Sequence, residues 1–234
     1  MSTLEEADRY RIAWYGATIF LSSAILLVIE ITAGRLIAPY VGVSIYSWTS
    51  IIGVILAGLS LGNWLGGRWA DRGGSEKSTG IVLALAGIFC ILSLMTLTLI
   101  APLLQGSQLD LVSSSFLYVL SMFFVPSVLL GIPTPLLTTL ALHMDQRAGR
   151  IVGRMHALAA LGSIIGTFLT GYVLIQYFGS RNIVIACAIV LFILAVPFFH
   201  RAPKAPLVVL VIAALGASLA VHYRQGFANP CDKE

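Results

Sequence analysis

Charge is what this chain has least of. Only 10% of its 234 residues are Asp, Glu, Lys or Arg, against roughly a quarter in a soluble domain, so a charged, solvated shell around a core is excluded. Cysteine is equally sparse. Cys90, Cys187 and Cys231 share no spacing pattern, which argues against both a disulfide framework and a thiolate metal site. The four histidines have no second histidine or carboxylate at ligand spacing, so no metal site is expected. No serine sits in a nucleophile elbow, and no glycine loop bridges a strand and a helix to cradle phosphate. No catalytic residue can be assigned within the chain.

Apolar sequence fills the space that charge leaves. Hydrophobic residues make up 58% and the mean hydropathy is +0.94, the balance of an integral membrane protein whose main partner is the lipid bilayer. A helical span needs roughly 20 apolar residues, and the chain supplies stretches of that kind at 14–33, 46–67, 79–103, 111–142, 155–178 and 182–199, with a shorter seventh at 206–222. The fold class expected is therefore all-α, a polytopic transmembrane helix bundle of about seven spans. Residues 1–13 read as a cytoplasmic leader, 14–223 as the transmembrane helical domain and 224–234 as a linker. The net charge of +4 is spread over short loops, which marks topology and not a nucleic-acid surface. With the amino terminus inside, ten Lys and Arg fall on that side and four on the other. The positive-inside rule then predicts a cytoplasmic amino terminus; the membrane expected is a bacterial-type inner (plasma) membrane. An odd number of spans places 224–234 outside.

The stretch SIYSWTSIIGVILAGLSLGNWLGGRWADRGGSEK, residues 44–77, carries most of the organisation. Gly58, Gly62 and Gly66 recur every fourth residue, so they share one helix face and form a flat strip where another backbone can approach closely. The apolar run stops at Arg68, and Gly67, Asp71, Arg72 and Gly74 make a polar turn that hydrocarbon would not tolerate. In LGSIIGTFLTGY, Gly162, Gly166 and Gly171 predict a second packing strip. The fourth span carries Pro126, Pro133 and Pro135, each of which removes a backbone donor. The segment GIPTP is expected to be bent or partly unwound.

Glu30 is the one acid placed well inside a span. An ionised carboxylate there costs about 2.5–3.5 kcal/mol at the bilayer centre, so it calls for a partner. Two readings stay open: a counter-charge for a small cation or amine, or a structural pair with Arg35, Arg154 or His156. His156 could move a proton near neutral pH or serve as an interfacial hydrogen bonder; His143 carries less of either signal.

Two resemblances follow from these residues. Gly67, Asp71, Arg72 and Gly74 resemble the loop after the second helix of major facilitator transporters, where it is cytoplasmic and helps lock one transport state; the first six spans then resemble half of a facilitator. More extensively, EITAGRLIAPYVGVSIYSWTSIIGVILAGLSLGNWLGGRWADR and GRMHALAALGSIIGTFLTGYVLIQYFGSR resemble the membrane portion of fused spermidine synthase-like membrane proteins. In that family a soluble aminopropyltransferase-like domain follows, and GFANPCDKE is similar to the linker leading into it. The resemblance implies polyamine biosynthesis in the missing domain, with decarboxylated S-adenosylmethionine as its substrate and no cofactor in this chain. It implies a polyamine or other small cation as ligand of the membrane part. The alternatives are a self-standing half-facilitator transporter working as a homodimer, and a plain membrane anchor.

Overall fold

The computed structural model describes residues 2–199 apart from 107, 108 and 146. The seventh span expected at 206–222 and the linker at 224–234 lie outside the described residues. Within them every regular element is a helix, and six helical stretches are long and apolar enough to cross a membrane.

Helix α1 runs unbroken over Ser2–Val41, so the backbone makes no division between leader and first span. At 1.5 Å per residue its 40 residues reach about 60 Å, roughly twice the hydrocarbon thickness. It therefore projects beyond the bilayer. Gly42, with φ 72°, ends it in a conformation that only glycine adopts freely. Ser44 then caps α2, Ile45–Asp71, by accepting a hydrogen bond from the Ser47 amide at 3.2 Å. At the far end of α2, Gly73 at φ 89° and the Gly74 amide, bonded to the Trp69 carbonyl at 3.1 Å, turn the chain into α3. That helix, Glu76–Gln105, opens with a capping box between Ser75 and Ser78.

The fourth span is two helices, α4, Leu111–Gly131, and α5, Pro133–Leu142. The interruption is smaller than GIPTP suggests. Pro126 lies inside α4 without ending it, and Ile132, between the two helices, keeps helical dihedrals of φ −61° and ψ −41°. Pro133 falls at the first position of α5, where a missing N–H and a fixed φ are tolerated, so the chain is interrupted without unwinding.

The fifth span begins earlier than expected. Helix α6, Ala148–Leu169, takes up Arg150 and Arg154, which precede the span expected at 155–178. It continues through a π-helical turn, Thr170–Leu174, into the short α7, Ile175–Tyr177. Helix α8, Ser180–Ala195, and a 3-10 turn, Val196–Phe199, complete the six.

The packing pairs α2 with α4, α1 with α6 and α3 with α8. Gly58, Gly62 and Gly66 meet Ser127, Gly131 and Ile132 in the same chain order, so α2 and α4 run parallel. Gly162 and Gly166 meet Phe20 and Ala24, which makes α1 and α6 parallel too. Gly80 meets Phe198 while Gly87 meets Ala188, so α3 and α8 are antiparallel. In each pair a backbone replaces a side chain at the contact. Lipid tails are as apolar as Leu, so in a bilayer such close van der Waals approach contributes much of the association.

Candidate functional site

A cavity of about 580 Å3 lies among α1, α2, α5, α6 and the end of α4. Its apolar wall includes Leu26, Leu27, Leu59, Leu130 and Pro135, and its polar wall includes Ser23, Asn63, Thr134, Thr138, Thr139, His156 and Ser163. Ser23 stands midway along α1 between Arg11 and Arg35, which puts the cavity at mid-depth in the bundle. So much polar surface at that depth requires water or a polar ligand.

The hydrogen bonds already made give the lining a direction. Thr138 donates its hydroxyl to the Thr134 carbonyl at 2.7 Å, and Thr139 donates to the Pro135 carbonyl at 3.1 Å. Each hydroxyl has then spent its one proton and presents lone pairs only. Pro133 and Pro135 lack N–H groups, so the carbonyls of Leu129 and Gly131, four residues earlier, miss their helical donors. The α5 side of the cavity is thus weighted toward acceptors, and it suits a ligand that brings N–H or O–H donors.

Ser23, Leu26 and Leu27 line the cavity, and Glu30 follows at the next i+7 position, on the same face of α1. Glu30 is half-buried but does not belong to the wall of this cavity; it stands about one turn beyond it, on the side away from the loop at 72–75. Among the described residues Glu30 forms no ion pair with Arg35, Arg154 or His156. Five residues along a helix put Glu30 and Arg35 on different faces. Arg35 is exposed and borders a smaller pocket of about 140 Å3 beside Gly34, Trp48 and Ile175. Arg154 is exposed on α6, whereas His156, two residues on, faces the central cavity.

The glycines divide sharply. A Cβ on Gly62 would fall on the Val128 carbonyl oxygen, one on Gly66 would come within 2.6 Å of the Ile132 carbonyl oxygen, and one on Gly58 within 2.8 Å of Ser127 Cβ. Gly162 and Gly166 stand equally close to the Phe20 and Ala24 carbonyls, while Gly171 has open space around it and is no part of the packing strip. In the turn, Gly67 also has open space, Gly74 is packed against Leu136 and the Trp69 carbonyl, and the left-handed conformation belongs to Gly73, a residue the motif leaves out. Asp71 and Arg72 are exposed and have no side-chain partner among the described residues.

The contact that fastens this end of the bundle is elsewhere. Arg11 donates from Nε and Nη2 to Glu76 Oε1 at 3.2 and 2.5 Å, and the Tyr15 hydroxyl donates to the same oxygen. Residues 65 positions apart are joined here, and sequence spacing carries no sign of it. The polar residues of the cavity left a fainter signal: Asn63 is a lone amide in an apolar helix, and Thr134 and Thr138 repeat at i, i+4 beside two prolines. Among the described residues no group of His, Cys, Asp and Glu is arranged to hold a metal. In comparisons with known proteins, the chain matches no family model, no curated protein and no solved structure.

Proposed function

We propose that this bundle is the membrane domain of a spermidine synthase-like protein and that its central cavity binds or passes a polyamine or another small cation, which an attached aminopropyltransferase domain makes or consumes. The observation that carries this reading is the acceptor-weighted lining at mid-depth, Thr138 and Thr139 above all, with the unpaired Glu30 carboxylate one turn further along the same face of α1. An alkylammonium supplies donors to the Thr138 and Thr139 lone pairs and the charge that Glu30 needs. Its methylenes match the leucine wall. The full chain in lipid nanodiscs should bind radiolabelled spermidine saturably, and Ala160→Phe, which places a ring in the cavity from a residue of its wall, should abolish that binding. Equal binding by wild type and Ala160→Phe would sink the reading.

A second reading is a half-facilitator transporter acting as a homodimer. It draws support from α2 and α6, which flank the cavity and are the two least buried of the six spans. A polar cavity between them needs a cover other than hydrocarbon, and a second copy would provide one. Counterflow of spermidine in liposomes, with a dimer by light scattering, is the expected result; strict monomers with no flux contradict it.

A further inference from the structure

A second pocket, separate from the central cavity and independent of the function proposed above, lies where α1 begins, α3 begins and α8 ends. It encloses about 360 Å3 and is lined by Tyr10, Arg11, Trp14, Tyr15, Glu76 and Phe198. An adjoining recess of about 530 Å3 shares Arg11, Tyr15, Glu76 and Phe198 and adds Lys77. The charges are not equivalent. Glu76 Oε1 already accepts from Arg11 and from Tyr15, so a cation would have to compete with a guanidinium for it.

What remains to be satisfied is donors. Arg11 uses two of its five N–H groups on Glu76, and its side chain is 49% exposed. Lys77 is exposed at the rim. The indole N–H of Trp14 is buried and has no hydrogen-bond partner among the described residues. Leaving a buried donor unmet is unfavourable by about 1–3 kcal/mol, so this group calls for an acceptor that the described residues do not supply. Arg11 and Trp14 line the pocket, Lys77 lines the adjoining recess that shares Arg11 with it, and with the Trp14 and Phe198 rings 6.5 Å apart the two together form an anion site with an apolar side.

We infer that this pocket binds the phosphate of a membrane phospholipid, with Trp14, Arg11 and Lys77 donating to the phosphate oxygens and the aromatic wall taking the first part of the acyl chains. The location selects lipid over a free anion. The pocket sits at the ends of three apolar spans, the depth at which Trp, Tyr and Arg meet headgroups, and basic pockets between spans recognise them.

The test uses the full chain, purified and delipidated in detergent, titrated with phosphatidylglycerol and read by native mass spectrometry. Wild type should bind one phospholipid at low occupancy ratios. Trp14→Phe, which keeps the ring and removes the N–H, should weaken that binding about tenfold, and Trp64→Phe, on an exposed tryptophan elsewhere, should leave it unchanged. Lys77→Gln, at an exposed position that leaves folding intact, should weaken it a few-fold. Equal binding by wild type, Trp14→Phe and Lys77→Gln overturns the site. Displacement of the lipid by an equal concentration of inorganic phosphate overturns the lipid assignment in favour of a free anion.

Discussion

Gly62 and Gly131 meet where α2 crosses α4: a Cβ on Gly62 would stand 3.0 Å from the Gly131 Cα, and a Cβ on Gly131 would stand 3.1 Å from the Gly62 Cα. Neither residue can gain a methyl group without parting the helices. Gly62→Ala should therefore destabilise the protein by about 1–3 kcal/mol, the range for overpacking a tight contact. Gly53→Ala, on the same helix but with nothing within 4 Å of the added carbon, should be neutral or stabilising by about 0.5–1 kcal/mol. Thermal melts of the two variants in one detergent check the contrast.

The Thr79 hydroxyl is fully buried and has no hydrogen-bond partner among the described residues. Removing an unmet polar atom while keeping the shape relieves a desolvation penalty. Thr79→Val should match or exceed wild type in melting temperature; a lower value would show that the hydroxyl has a partner, such as a water.

At the start of α4, outside the spanning segment, the Ser113 hydroxyl bonds to the Asp110 side chain and holds its carboxyl below the ordinary aspartate range. A carboxyl depressed in the folded state adds stability above its unfolded pKa, and that stability is lost as pH falls through the folded value. Ser113→Ala should raise the Asp110 pKa, followed by carboxyl carbon NMR shifts of labelled protein. The stability difference between the two proteins should be present at neutral pH and should vanish in strong acid. A difference that persists there would contradict the assignment.

Glu76 is 35% exposed and Arg11 49% exposed, so water and salt screen the ion pair between them. A double-mutant cycle with Arg11→Gln and Glu76→Gln should return a coupling of about 0–1 kcal/mol, falling as ionic strength rises.

Helix content and the six spans were legible because apolar run length is a local property of sequence. The face shared by Gly58, Gly62 and Gly66 was legible for the same reason, since a four-residue repeat fixes azimuth on a helix whatever it packs against. Gly171 shows the limit of that logic. It follows Gly166 by five residues, an interval that puts the two on different faces of a regular helix, so only Gly162 and Gly166 share the strip. Gly73 was missed because the turn's motif weights its neighbours, although Gly73 alone adopts the positive φ. The cavity was only half legible. Glu30 and His156 stood out as ionisable groups in apolar sequence, but Thr138 and Thr139 look like ordinary helix threonines until α1, α2 and α6 are assembled around them. The link between Arg11 and Glu76 is wholly tertiary.

The most direct test of the proposed amine cavity is spermidine binding to wild type and Glu30→Gln in nanodiscs, by equilibrium dialysis at neutral pH. Gln keeps the shape of Glu and removes only the charge. The account predicts that Glu30→Gln weakens binding tenfold or more, on the order expected for losing one charge-assisted contact, while Glu30→Asp keeps most of it. Unchanged affinity in Glu30→Gln would contradict the account and leave the carboxylate without a part in ligand binding.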